Sequence, residues 1–570
     1  MKFLSRIGFI LFISLILFSI MFYFLNPIFF ANSIIIPYSF SHFDICIKAP
    51  TAWKYIKITY IITFFYSCFI ISNSLYCFCL KDKFLAFMKK KKQHKYSLNP
   101  NILELYVGTN LKNEPVFINE NGLYQNILIT GTIGSGKTSS AMYPFTHQLI
   151  KYKMNNPYQK LGMLILDVKG NFYKQVKKYA DDCNRTDDLM IIELGGKIKY
   201  NPLDKPDLNP LVLANRLKTV LTLFSPNNSE SYWLDKVETI LAECIKLCRL
   251  YNNGYVTFVE LHKLINSTNY YESKLSYLRE LFQSGKLSQK DVYDLHSAIS
   301  FFETEFKSLD SKVMSILKSE ISRITNTFIS DYDILHTFSP KKEELNFTGF
   351  KEVIENGKIV ILNMNIGVYK NLSKLIAAYL KLDFQSEVLS QLSKNKAKPC
   401  AFISDEFHEY VTSTDADFFA QSREAKCINI VATQSYTSLL NSLKEQSAVK
   451  VIVQNLINKL WFRTDDSFTI EDIQKQIGKE DKQKISKSIS ENAQETNFNY
   501  FTNSLNSKNS NVSESITTSM SFDYVYDSNF FTQHLETFSC LAFLSNGFKI
   551  ITPQKILLKP YFEANNSFKK

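Results

Sequence analysis

Gly131, Gly134, Gly136, Lys137 and Thr138 stand in the order G-x-x-x-x-G-K-[ST], written out as Gly131-Thr-Ile-Gly-Ser-Gly-Lys-Thr138. Each residue type has a job at that spacing. The glycines let the backbone turn tightly, so that successive N–H groups face one anion at the start of a helix. The expected phosphate cradle is Gly131, Thr132, Ile133, Gly134, Ser135, Gly136, Lys137, Thr138 and Ser139. Lys137 is placed to reach the β- and γ-phosphates and Thr138 to hold Mg²⁺. A glycine turn with a surface lysine is the bland alternative. An apolar run before the loop (Asn126–Thr130) and a helical pattern after it (Ser139–Ile150, despite Pro144) favour a nucleoside triphosphate with Mg²⁺.

Phosphoryl chemistry needs acids as well. Pro399-Cys-Ala-Phe-Ile-Ser404 is an apolar strand that ends in Asp405 and Glu406. In a nucleotide hydrolase of this type the first carboxylate positions Mg²⁺, and the second orients and polarises the attacking water. Solvated turn acids are the alternative, and the loop at residues 131–138 argues against it. The strand Ile428–Thr433 ends in Gln434, whose amide can contact the γ-phosphate. Leu161–Leu166 ends in Asp167, and acids at strand C-terminal ends line ligand crevices in open α/β sheets. Lys137 and Asp405 are 268 positions apart, so the fold has to bring them together.

The elements that do so read as strands alternating with helices. Residues 101–206 and 341–560 supply the strands of one nucleotide-binding α/β domain. Between them, apolar residues recur at helical spacing from 207 to 340, which predicts an inserted all-α domain. Residues 480–520 are rich in Ser, Asn, Lys and Gln and predict a flexible excursion. Ser539–Ser545 and Phe548–Ile551 predict a closing hairpin around Asn546-Gly547.

At 570 residues the chain exceeds one ordinary core. Residues 1–80 predict a membrane anchor of two transmembrane helices, about 7–25 and 58–80, followed by a basic linker over 81–100. Seven lysines against one acid between residues 81 and 95 put the bulk of the chain in the cytoplasm. A secretory leader is disfavoured by the length of the first apolar run. The net charge of +12 is largely this topology signal, because residues 1–95 alone carry +10. Net charge therefore gives no nucleic-acid footprint, and any DNA contact has to come from local basic patches. Ten cysteines and eight histidines form no metal-like cluster, and no structural zinc is expected.

The order of these features resembles the type IV secretion coupling proteins, the membrane ATPases of conjugative DNA transfer. The resemblance rests on the N-terminal apolar runs, the basic entry, the loop, Asp167-Val-Lys-Gly170, Tyr200-Asn-Pro-Leu203, the helical insertion, Asp405-Glu-Phe407 and Thr433-Gln-Ser435. It implies a RecA-like P-loop ATPase domain with an inserted all-α domain, preceded by two transmembrane helices. It also implies a homo-oligomer, a hexameric ring, handling DNA without sequence preference and bringing a relaxase–DNA complex or protein effectors to the channel. Carried over by position, the catalytic set is Lys137, Glu406, Arg423 and Gln434, and the metal set is Thr138 and Asp405, with ATP and Mg²⁺ as cofactors. Arg423 stands where the family carries an arginine that completes a neighbour's site. Val168, where the family often has Pro, and Asn171, in place of a frequent acid, are departures that bear on substrate choice. Two other classes remain: a membrane-anchored DNA translocase of the chromosome-pumping type, which the helical insertion disfavours, and a cargo receptor that uses ATP mainly for assembly.

Overall fold

A computed structural model of the chain describes residues 12, 14–20, 50–75, 99–223, 231–285, 287–393, 397–491, 498–499, 504–505 and 512–564. They divide into two compact units, 1–98 and 99–570.

In the first unit, helix α1 runs over Pro50–Leu75. It covers residues 58–75 of the second expected span, whereas most of the first expected span, residues 76–80 and the basic linker up to Leu98 lie outside the described residues. Among the described residues, no helix is long and apolar enough to cross a membrane, so the two expected spans find no support there. α1 mixes its isoleucines with Lys54 and with Thr59, Thr63, Ser67 and Ser72. Those four hydroxyls donate back to the helix carbonyls of Tyr55, Thr59, Thr63 and Cys68.

The second unit is built on an eleven-stranded sheet in the order β2-β1-β15-β14-β9-β3-β8-β7-β4-β6-β5. In chain order its strands are β1 (Glu104–Asn110), β2 (Pro115–Asn119), β3 (Ile127–Thr130), β4 (Gly162–Leu166), β5 (Leu189–Ile192), β6 (Ile359–Leu362), β7 (Cys400–Ser404), β8 (Cys427–Thr433), β9 (Asn458–Trp461), β14 (Ser539–Phe543) and β15 (Gln554–Leu557). From β9 to β5 the strands are parallel, and from β9 out to β2 they are antiparallel. The parallel strands are buried on both faces, and alternate residues feed different cores. Ile127, Ile129, Ile165, Ile361 and Ile403 pack with Phe145 and Leu149 of α2 (Tyr143–Lys151) and with α3 (Phe172–Asp182). Leu128, Leu164, Val360 and Phe402 face the other way, into a cluster that continues through the helices of residues 210–338.

Those helices are α4 (Pro210–Thr222), α5 (Ser231–Tyr251), α6 (Phe258–Asn266), α7 (Thr268–Gln283), α8 (Gln289–Ser300), α9 (Ser311–Ile329) and α10 (Tyr332–Phe338). Their starts are set locally, because Asn209, Thr257, Ser267, Ser288, Asp310 and Asp331 each accept a first-turn backbone N–H. The group leaves and rejoins the sheet between β5 and β6, where Tyr200 bridges Phe347. Tyr200, Lys205 and Arg216 all converge on buried Asp383 of α11 (Ile366–Ser390).

Two readings of the sequence are corrected here. Residues 480–520, expected to be a flexible excursion, lie largely in a two-stranded ribbon. In it β10 (Lys479–Glu491) pairs antiparallel with β13 (Val512–Tyr524) through a thirteen-residue register, and β11 (Phe498–Asn499) pairs with β12 (Ser504–Leu505) nearer the tip. The period-two pattern was present but dilute. Ile485↔Thr518, Gln483↔Met520 and Asp481↔Phe522 share one face, while Lys484↔Ser519 and Ser486↔Thr517 share the other. Ile485, Ile516, Met520 and Phe522 are all exposed. The expected second strand of the closing hairpin, Phe548–Ile551, is reduced to one bridge, Ser545↔Ile550, and β14 pairs instead with β15.

Candidate functional site

β3 delivers the glycine loop, and the loop is tied down on both sides. Gly131 N–H donates to Gln434 C=O at 3.2 Å, and Thr132 N–H donates to Arg463 C=O at 2.8 Å. Gly134 (φ 79°) and Gly136 (φ 96°) occupy backbone conformations that side-chain-bearing residues avoid. Beyond the loop, Thr138–Met142 form a wide π-turn, and α2 begins only at Tyr143, with Pro144 in its first turn. That is how the helix accommodates Pro144, where no N–H is required. Lys137 is buried and its ammonium donates to the Gly131 and Thr132 carbonyls. Burial holds its pKa below the ordinary lysine value, against the opposing pull of Glu406 and Asp405. Ser139 donates to Gly136 C=O at 3.2 Å, while Ile133 stands out at the crown of the loop, 77% exposed.

β7 delivers the acids. Thr138 Oγ1 donates to Asp405 Oδ2 at 3.0 Å. Burial, with Glu406 and Asp167 adding to it, pushes the Asp405 carboxyl up to about 6, against the Thr138 bond and Lys169. Glu406 adopts a left-handed backbone (φ 50°, ψ 49°), uncommon for a residue with a side chain. Its Oε1 lies 3.5 Å from Lys169 Nζ, and its Oε2 is buried without a hydrogen-bond partner. A buried carboxylate oxygen beside a phosphate loop that accepts no hydrogen bond fits a group that takes up a water or a ligand proton. The Thr138–Asp405 pair gives a hard oxygen set of the kind Mg²⁺ accepts while keeping most of its waters.

The remaining expected residues are placed as follows. Gln434 follows β8 beside the loop and anchors it through its carbonyl. Asp167 is engaged elsewhere, its carboxylate accepting N–H groups from Lys169, Asn171 and Phe172 at 2.8–3.0 Å and so starting α3. Arg423 is exposed, in the turn between α12 (Asp415–Gln421) and β8. β3 and β8 run parallel, with Thr130 opposite Thr433. Arg423 therefore lies a strand length, about 20 Å, from the loop end of its own sheet.

The sequence reading had not singled out Lys169 or His408. His408 Nδ1 lies 3.7 Å from Glu406 Oε2 and 3.2 Å from Thr433 Oγ1, between the acid and the end of β8. Burial lowers its pKa, although Glu406 and Glu409 pull the other way. The signal was adjacency, since Lys169 follows Asp167 by two positions and His408 follows Glu406 by two. Among the described residues, no group of three His, Cys, Asp or Glu side chains gathers as a metal cage.

Comparison with known proteins matches this geometry. Residues 399–520, which carry Asp405, Glu406, Arg423, Gln434 and most of the ribbon, match the family described as the TraM recognition site of TraD and TraG. The bacterial conjugative coupling protein TrwB, lacking its N-terminal 70 residues and unbound, aligns over 83% of this chain and 91% of its own, with TM-score 0.52 and 12% identity. TrwB in complex with ADP and Mg²⁺ covers 83% and 92%, with TM-score 0.51 and 12% identity. TrwB with a non-hydrolysable ATP analogue covers 82% and 96%, again with TM-score 0.51 and 12% identity. Comparison with curated protein sequences gave no match. The chain thus has the mixed α/β, RecA-like P-loop fold, and its resemblance is to the coupling proteins of type IV secretion.

Proposed function

We propose that this chain is a nucleotide-driven coupling subunit of conjugative transfer, a Mg²⁺-dependent ATPase that assembles as a ring and moves DNA or a DNA–protein complex toward a secretion channel. The observation that supports it most is the cluster of Lys137, Thr138, Asp405 and Glu406 at neighbouring parallel strand ends. A bound nucleotide would supply the phosphoryl group, and Thr138 and Asp405 would hold Mg²⁺, which would supply positive charge against the phosphates. Lys137 would turn from the Gly131 and Thr132 carbonyls to the phosphates. Glu406 would take the proton of the attacking water, with Lys169 and His408 fixing its direction, and Gln434 would couple the end of β8 to the loop. The TraM-recognition match over 399–520 supports docking of a relaxosome protein there. An anchor within residues 1–80 would hold the body at the cytoplasmic face, in line with the lysine asymmetry.

The deciding experiment measures ATP turnover of the full chain with and without DNA of unrelated sequences, over a salt series. Turnover raised by any DNA, and a stimulation that falls steeply with salt, is the expected result. ATP turnover indifferent to DNA would favour the cargo-receptor reading, and strict sequence dependence would argue against a pump.

A further inference from the structure

We propose that Phe538 and Phe562 form a shelf on which the nucleobase stacks, so that the site holds a nucleotide by its ring face and does not distinguish adenine from guanine. The inference rests on the nucleotide-binding reading above.

The two flanks of the loop differ. On one, Thr138 meets Asp405 at the end of β7, which marks the metal and terminal-phosphate end. A nucleotide whose terminal phosphate lies there extends its sugar and base toward the other flank, where β9 and β14 follow β3 in the sheet. That flank is built by the C-terminal part of the chain. Phe538 immediately precedes β14 in a left-handed backbone conformation (φ 63°), strained for an aromatic residue. Its N–H donates to Ser135 C=O at 3.2 Å, and its C=O accepts from Leu558 N–H at 2.8 Å. Its ring lies directly on the last loop glycine, where a Cβ on Gly136 would come within 2.5 Å of a ring carbon.

Phe562, on the turn α13 (Tyr561–Ala564), meets Phe538 edge-on at 6.0 Å between centroids. It is braced by Tyr561 at 5.5 Å, which in turn contacts Tyr143 at the start of α2 at 5.2 Å. Phe562 is 50% exposed. The shelf therefore shows solvent a fixed aromatic face beside a phosphate loop, and neither phenylalanine ring has a hydrogen-bonding atom with which to tell adenine from guanine. Stacking of this kind tolerates any base, because every base has a π-face.

The test compares binding of ATP, GTP and inorganic triphosphate to the full chain and to two variants, Phe562→Ala and Phe562→Trp. Phe562→Ala should weaken ATP and GTP alike, by roughly tenfold, the size of one base–aromatic stack. It should leave triphosphate within about twofold, which also reports that the loop is still folded, and Phe562→Trp should keep ATP affinity. The shelf is overturned if ATP affinity is unchanged by Phe562→Ala, if ATP and triphosphate weaken together, or if ATP and GTP respond differently. Failure of the unaltered chain to bind either ATP or triphosphate would overturn the nucleotide reading itself, a result distinct from these.

Discussion

Thr138 Oγ1 and Asp405 Oδ2 are hydrogen-bonded at 3.0 Å across 267 positions of sequence. The bond joins the end of the phosphate loop to the end of β7, and it holds together the two oxygens that would share one Mg²⁺.

The division of labour between Lys137 and Glu406 is separable. Lys137→Ala should abolish tight nucleotide binding, because nothing else buried at the loop supplies the positive charge. Glu406→Gln should keep binding and lower turnover on the order of a hundredfold or more, since only the proton acceptor is lost. Parallel binding and single-turnover measurements decide it, and equal loss of binding in both variants would contradict the assignment.

Arg423 lies about 20 Å from its own loop along β8, so a catalytic role for it would require a second copy of the chain. Lys137→Ala chains would still present Arg423, and Arg423→Ala chains would still bind nucleotide. Mixing the two inactive pools should restore part of the ATPase rate. No recovery, under conditions where subunits are shown to exchange, would remove Arg423 from the mechanism.

Lys381 is fully buried and donates to Tyr410 C=O at 2.7 Å, to Thr412 Oγ1 at 3.0 Å and to the buried Asp415 carboxylate. It pins the segment after Glu406 to α11. Lys381→Met leaves Asp415 uncompensated and should cost about 3–5 kcal/mol by urea unfolding. Adding Asp415→Leu should recover much of that loss. A single-variant cost below about 1 kcal/mol would show the pair to be structurally idle.

His147 stacks flat on Tyr179 at 4.3 Å, and burial lowers its pKa to about 4, helped by Lys151 and opposed by Asp182. The folded state keeps it neutral where the unfolded chain is protonated. Its contribution to stability is therefore complete above pH ~6.5 and is lost as pH falls toward about 4, by up to about 3 kcal/mol. His147→Phe should flatten the acid limb of a stability–pH curve. An unchanged limb would assign the acid sensitivity to other groups.

The chemistry was more legible in the sequence than its supports. Gly131–Thr138 stands out because a phosphate-loop motif restricts residue type at nearly every position, and Asp405-Glu406 because a run that is apolar up to Ser404 stops at two charges. Phe538 lying on Gly136 and Lys169 reaching Glu406 depend on how distant strands align, which no local pattern records. The ribbon was missed for another reason. Its alternation is real, but Ser, Thr and Lys fill so many positions that apolar content alone suggested disorder.

The sheet also dictates an order of events during synthesis. The neighbours of β3 are β8 and β9, whose partners for Ile127 are Ile430 and Asn458. At ~5–20 residues per second the ribosome needs about 15–60 s to make that stretch. Over this interval Ile127–Ile129 have no partner strand, while the capped helices of residues 210–338 make mostly local contacts and can fold behind them. A ribosome-arrested chain ending near residue 420 should be protease-resistant over 210–338 and still sensitive over 99–206, and the reverse pattern would refute this order. The candidate phosphate site is therefore completed late, and a nascent chain must shelter its central strand until its own C-terminal third has been made.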